Sequence, residues 1–363
     1  MNEMGNSQGN LVQKDRTVDF LAWLYGSDSL FQSPTGLTYP LIVRTTVSPE
    51  PTAVLGNWAE ETRSFPQSSW LLEEMQQGNS HLWNGETYAM RYLETAPDGD
   101  RLHCTTGSYF DTVNTCTILE VELRRAMVTV AEEASHQMRY EAMPLRRALH
   151  GTRQGAAALE DAWSSRERSA AIAISCLFVV NDGQDYRYFV RQRSANLADG
   201  AGLYHIVPSM VFQPTAADPL DPKSYSIQNT ILREVAEELF DREESDPDLI
   251  SCPEIADLHS LLVNGDASLR ISGIAMDLLC LRPEILAVLV VRDPQWLARH
   301  ASSVRFSRHE YARIQPDSEG WRSVNDDGVF LPGGEFDPRH CVATGAASAI
   351  LGLPWVRQPS LHV

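Results

Sequence analysis

One stretch without proline or glycine, residues 224–246, constrains the fold most, because its apolar residues recur at helical spacing. At 100° per residue, one side of the resulting α-helix carries Ile231, Leu232, Val235, Ala236 and Leu239. Another side carries Glu234, Glu237, Glu238 and Asp241. We therefore predict an amphipathic helix over residues 226–241.

The acidic side of this helix has two interpretations. Glutamates three and four positions apart lie within one turn and repel each other by about 0.2–0.5 kcal/mol per pair. A solvated face that tolerates this repulsion is common, and helix geometry alone favours it. A divalent cation would instead turn the repulsion into a binding site, because Mg²⁺ takes carboxylate oxygens.

The residue order in this stretch favours the second interpretation. Residues 233–238, Arg-Glu-Val-Ala-Glu-Glu, resemble the core of the Nudix box, whose pattern is G-x5-E-x7-R-E-U-x-E-E-x-G-U with U a bulky aliphatic residue. The resemblance implies that Glu234, Glu237 and Glu238 bind Mg²⁺ or Mn²⁺ and help to activate water. It also implies that Arg233 orients a carboxylate.

The chain departs from the pattern outside this core. The first glycine of the pattern falls at Pro219 and its first glutamate at Tyr225, while its later glycine falls at Phe240 and its last aliphatic position at Asp241. The loop upstream, often Pro-Gly-Gly in the family, is replaced by residues 207–212, Val-Pro-Ser-Met-Val-Phe. The resemblance thus covers residues 170–300 and implies a retained catalytic helix with a rewritten phosphate-approach loop.

The order of predicted elements gives an α/β (α+β) chain with two units. A strand over residues 170–180, a turn at Asn181-Asp182-Gly183, strands over 186–193 and 202–213, and then the acidic helix follow the order of a Nudix fold. We predict a disordered tail over residues 1–15, a smaller mixed α/β domain over 16–150 and a linker over 151–168. Residues 169–363 are predicted to form a Nudix-like mixed sheet sandwiched between helices.

The net charge and the cysteine content limit the binding partners and the cellular compartment that we expect. The 30 basic and 48 acidic residues give a net charge of −18, which repels nucleic acids and anionic membranes. The N-terminal residues lack the basic start and apolar centre of an export signal. The six cysteines show no C-x-x-C spacing, so we predict free thiols in a reducing cytoplasm. The oligomeric state stays open, with a homodimer among the alternatives.

The resemblance implies a Mg²⁺-dependent hydrolase of a nucleoside diphosphate-linked or other nucleotide phosphoanhydride substrate. Arg191, Arg193 and His205 lie on the strands that lead into the altered loop, so we expect them to bind a substrate phosphate. The alternative is a catalytically degenerate Nudix-like domain that senses a nucleotide or binds a protein, and the altered loop favours it. A biosynthetic enzyme with a different reaction on the same scaffold is a third hypothesis.

Overall fold

The computed structural model describes residues 16–45, 51–61, 63–78, 82, 84–194, 200, 202–242, 252–305 and 320–358, so the predicted tail over 1–15 lies outside the described residues. The strands are β1 (Leu41–Arg44), β2 (Leu55–Trp58), β3 (Glu86–Ala96), β4 (Gly99–Ser108), β5 (Ala170–Ala171), β6 (Ala173–Asn181), β7 (Tyr186–Gln192), β8 (Tyr204–Ile206), β9 (Ser209–Val211), β10 (Ala267–Asp277), β11 (Arg282–Val291) and β12 (Trp321–Ser323). The helices are α1 (residues 16–25), α2 (Trp70–Gly78), α3 (Tyr109–Thr112), α4 (Ile118–Thr129), α5 (His136–Glu141), α6 (Pro144–His150), α7 (Ala156–Trp163), α8 (Ile227–Glu234), α9 (Pro253–Asn264), α10 (Trp296–His300) and α11 (Ala343–Gly352).

The larger sheet positions the acidic helix. Its strand order is β1-β10-β11-β6-β7-β12, with β8 beside β7 and β9 beside β6. β11 and β6 run parallel, and the other pairs are antiparallel, so the sheet is mixed. One face packs on α8 and α9 and the other on α11, because side chains alternate between the two faces of each strand. The predicted mixed α+β class is confirmed.

The smaller sheet has the order β2-β4-β3-β5. Its central hairpin, β3 and β4, turns at Pro97-Asp98-Gly99-Asp100, a turn-forming sequence in which Gly99 takes a φ of 134° that few other residues adopt. Before this hairpin, Ser69 caps α2, because its hydroxyl accepts a hydrogen bond from the Leu72 N–H at 3.2 Å.

Two strands cross the predicted division between the units. β1 precedes residue 150 but pairs with β10 in the larger sheet, and β5 follows residue 169 but pairs with β3 in the smaller one. Residues 151–168, predicted as a linker, contain α7 and the buried Arg168. The side chains of Ala158, Ala162 and Trp163 are buried in the same core as the sheet. The predicted division into a domain over residues 16–150 and a domain over residues 169–363 therefore stays a prediction.

The cysteines and the lengths of the helices can also be compared with the expectations from the sequence. All six cysteines are free thiols, as predicted, and five of them are buried. None of the helices in the described part of the chain has the length and apolar character that a membrane span requires.

Candidate functional site

The acidic helix forms where the sequence predicts it. The Ser226 hydroxyl caps its first turn by accepting a hydrogen bond from the Asn229 N–H at 3.2 Å. α8 then continues directly into a π-helical turn over Val235–Leu239. The helix ends at Asp241, whose φ of 52° lies in the left-handed region. The apolar side predicted from the sequence is buried against the larger sheet.

The carboxylates of this helix do not form a solvated face. Glu238 is buried, with 3% of its surface exposed, while Glu234 and Glu237 are half-buried. Each of the three carboxylates interacts with other groups of the protein. The solvated-face interpretation is therefore wrong for Glu238, because that side chain turns inward toward the loop upstream of the helix.

Glu238 holds that loop in place. Its Oε1 accepts a hydrogen bond from the backbone N–H of Ser209, at the start of β9, at 3.2 Å. The charge of Glu238 also acts on Cys176, which lies on β6. Burial raises the pKa of the Cys176 thiol, and the negative charge of Glu238 raises that pKa further. A buried carboxylate needs such hydrogen bonds, because water no longer solvates it. Glu238 thus links the helix to the edge of the sheet.

Arg233 and Glu237 form a pair along the helix. The Arg233 Nη2 donates to Glu237 Oε1 at 3.3 Å, across the i,i+4 spacing. The side chains are only 15% and 17% exposed, so solvent screens this pair less than a surface pair. An arginine that fixes a carboxylate is the role that the sequence resemblance implies for Arg233.

The three predicted phosphate ligands occupy two places. Arg193 reaches the loop that Glu238 holds, because its Nη1 donates to the Ser209 hydroxyl at 3.2 Å. Arg191 and His205 lie opposite each other in the β7–β8 pair, and both are buried. Of the three residues, Arg193 is therefore connected to the acidic helix, because Arg193 and Glu238 both form a hydrogen bond with Ser209.

His205 packs against α11. Its Nδ1 lies 2.8 Å from the Ile206 carbonyl oxygen, which makes Nδ1 the protonated nitrogen. Gly345 permits this packing, because a Cβ at that position would come within 2.9 Å of the same nitrogen. A side chain at residue 345 would displace the imidazole ring.

The predicted metal ligands, Glu234, Glu237 and Glu238, lie on one helix, and their role as metal ligands stays a prediction. Across the described ranges, no group of three or more His, Cys, Asp or Glu side chains is arranged to hold a metal ion. Glu237 and Glu238 instead meet Arg233 and the Ser209 N–H. Carboxylate oxygens are the ligand type that Mg²⁺ takes, so a cation here would compete with the partners that Glu237 and Glu238 already have.

A separate cavity of about 440 Å³ is not indicated by any sequence pattern described above. Its walls come from α1, α4, the segment before β1, the end of β10 and the segment that leads into α11. These segments span most of the chain, so no local spacing connects them. Only the tertiary fold brings them together.

Comparisons with known proteins assign no family to this arrangement. No protein-family model matches the chain, and no match is found among curated proteins.

Proposed function

We propose that the chain is a Nudix-like binding module in which the acidic helix supports the altered loop and does not catalyse hydrolysis. The observation that carries this proposal is the hydrogen bond from the Ser209 N–H to the buried carboxylate of Glu238. A cation would compete with this bond for the carboxylate, and losing the bond would cost about 1–3 kcal/mol for the N–H left unsatisfied. We also propose a cytoplasmic location, which the reduced state of the six cysteines favours.

The rewritten loop supports the same proposal. Residues 207–209, Val-Pro-Ser, replace the glycine-rich loop that is common in the Nudix family. Both the backbone N–H and the hydroxyl of Ser209 form hydrogen bonds with charged side chains. Its N–H donates to Glu238, and its hydroxyl accepts from Arg193. A loop fixed by two charged side chains is suited to a structural role, because it offers a phosphate fewer uncommitted donors.

Mg²⁺-dependent hydrolysis of a nucleotide phosphoanhydride is a second candidate function. The pair between Arg233 and Glu237 favours it, since the resemblance gives the arginine this positioning role. Under this candidate, Glu234, Glu237 and Glu238 would hold Mg²⁺ or Mn²⁺ after rearranging, and Arg193 would contact the substrate.

Titration with Mn²⁺ distinguishes the two functions. We expect the wild-type protein to bind Mn²⁺ with a dissociation constant weaker than about 1 mM, the weak end of protein cation sites. Glu237→Gln and Glu238→Gln should bind it equally weakly, because neither carboxylate serves as a metal ligand. The free ion is measured by its electron paramagnetic resonance signal.

The matched control is Glu133→Gln, which removes one charge from an exposed position outside the helix. Tight Mn²⁺ binding by the wild type and by this control, lost in both helix variants, would support the hydrolase and reject the structural role.

A further inference from the structure

The cavity of about 440 Å³ has the size of a small-molecule site, for which about 300–1,000 Å³ is typical. Its walls come from both predicted units, because residues between 17 and 124 line it together with residues between 203 and 343. The described lining contains no residue of the acidic helix. The cavity is therefore a separate candidate site.

Apolar side chains from separate segments of the chain line the cavity. They include Val18 of α1, Leu37, Leu203, Leu279 and Val342. Each of these side chains is half-buried, so the protein leaves part of its apolar surface uncovered. A ligand that covers this surface with hydrocarbon removes it from water, which favours binding roughly in proportion to the area covered. The walls are therefore suited to a hydrocarbon group.

The guanidinium groups of the described lining are paired with carboxylates of the same lining. Arg124 forms an ion pair with Glu120, one helical turn before it, and Arg339 forms one with Asp337 at 2.6 Å. Asp337 is buried and also accepts a hydrogen bond from the Gly333 N–H at 2.7 Å. Burial alone would raise the pKa of Asp337, but its hydrogen bonds hold that pKa well below its usual range. The carboxylate is thus charged at neutral pH and keeps its arginine.

The two remaining carboxylates of the described lining are also satisfied. Asp277 Oδ1 accepts a hydrogen bond from the Leu279 N–H at 2.8 Å, while Asp19 is exposed, so water solvates it. A charged ligand would lose its hydration on entering the cavity, and a buried charge is costly unless a counter-charge pairs with it. The charged groups of the wall would have to leave their present partners to supply that pairing. The cavity therefore disfavours an ion.

Hydrogen bonds of the fold hold the apolar walls in place before any ligand binds. The N–H of Leu279 donates to Asp277, and its carbonyl oxygen accepts a hydrogen bond from Arg146 Nη2 at 2.6 Å. The Val342 N–H donates to the Tyr204 carbonyl oxygen at 2.9 Å, which joins the segment before α11 to β8. A preformed cavity loses little conformational freedom when a ligand binds, so more of the favourable burial appears as affinity.

We propose that this cavity binds an uncharged small molecule made mainly of hydrocarbon, with its chain against the apolar walls. The cavity would be the ligand site of the proposed binding module, and the assignment rests on that proposed function. Such a ligand differs from the nucleotide expected from the sequence resemblance, because it carries no phosphate.

The test is calorimetric titration of the full chain with primary alcohols from butanol to octanol. We expect the affinity to rise about fourfold with each added methylene, because each one removes further apolar surface from water. Octylamine and octanoate, which are charged at neutral pH, should bind at least about tenfold more weakly than octanol. The proposal would be overturned if octanol did not bind, if affinity did not depend on chain length, or if either ion bound as tightly as octanol.

Two substitutions that fill the cavity place the ligand there. Leu203→Trp and Val18→Trp each add an indole ring at a half-buried position of a different wall. Both should weaken octanol binding at least about tenfold while the circular dichroism spectrum is retained. The matched control is Val128→Trp, at an exposed position of α4 outside the described lining, which should bind octanol as the wild type does. Wild-type affinity for octanol in both cavity variants would show that octanol binds elsewhere and would reject the site.

Different results would reject the cavity assignment and the proposed function. Thermal stabilisation by ADP without any binding of octanol would reject the cavity assignment and leave a binding module in place. Metal-dependent hydrolysis of nucleotides together with octanol binding in the cavity would reject the proposed function and leave the cavity assignment standing.

Discussion

Arg146→Met is expected to lower the free energy of unfolding by about 3–5 kcal/mol, because three buried acceptors lose their donor at about 1–3 kcal/mol each. Arg146 is fully buried in α6, and its guanidinium donates to three acceptors. They are the Tyr25 hydroxyl at 2.8 Å, the Leu278 carbonyl at 3.1 Å and the Leu279 carbonyl at 2.6 Å. Methionine fills a similar volume but leaves all three acceptors buried without this donor.

The position of these acceptors explains why the effect should be large. Tyr25 ends α1, whereas Leu278 and Leu279 form the turn between β10 and β11. Arg146 thus connects the helices of the predicted first unit to the larger sheet of the second. Its loss should weaken the packing between the two, in addition to the hydrogen bonds themselves.

Urea unfolding followed by circular dichroism measures this effect. The matched control is Arg147→Met, because Arg147 is adjacent and exposed. We expect the control to change the free energy of unfolding by less than about 0.5 kcal/mol, as surface substitutions do. Similar losses in both variants would show that Arg146 does not hold the two parts together.

Acidification from pH 7 to pH 5 is expected to cost the fold about 2 kcal/mol through His150. Burial, followed by the positive charges of Arg146, Arg168 and Arg153, lowers the pKa of His150 to about 3 in the folded chain. In the unfolded chain the pKa is near 6.5. Below pH 6.5 the unfolded chain therefore gains a proton that the folded chain does not, and stability falls until about pH 3.

The contacts of His150 agree with a neutral ring. Its Nε2 lies 2.9 Å from the Tyr25 hydroxyl, and its Nδ1 lies 3.4 Å from Asp161 Oδ2. Because the lowered pKa keeps the imidazole uncharged at neutral pH, the contact with Asp161 is a hydrogen bond and not an ion pair. Protonation would place another positive charge among buried arginines.

The measurement is the difference in urea-unfolding free energy between pH 7 and pH 5. His150→Gln removes the titrating ring, so this difference should shrink by about 2 kcal/mol relative to the wild type. His259→Gln, at an exposed position of α9, should keep the wild-type difference. An unchanged pH dependence in His150→Gln would mean that His150 is not buried as a neutral group.

Local sequence patterns predicted individual helices, strands and turns, because each of these elements depends on residues that are close together in the chain. The apolar side of α8 and the turn at Gly99 each depend on residues a few positions apart. The pairing of β1 with β10 joins residues more than 200 positions apart, and no local spacing encodes it. The predicted division of the chain passes between these two strands for that reason.

The contacts of the candidate site also could not be predicted from local sequence patterns. Glu237 and Glu238 are neighbours with the same chemistry, yet one pairs with Arg233 and the other is buried against Ser209. The position of the upstream loop decides this difference, and the motif does not contain it. Arg146 and Arg147 differ in burial for a similar reason, because only the packing of α6 determines which arginine faces inward.

Hydrolysis of phosphoanhydrides with Mg²⁺ tests the central claim, the structural role of the acidic helix, most directly. Nucleotide sugars, dinucleotides and nucleoside triphosphates would be incubated with the wild-type protein and with Glu237→Gln, and the nucleotide products would be separated from the substrate by chromatography. The structural role predicts that both proteins form products at the rate of the protein-free control for every substrate. Metal-dependent product formation by the wild type that Glu237→Gln abolishes would contradict it.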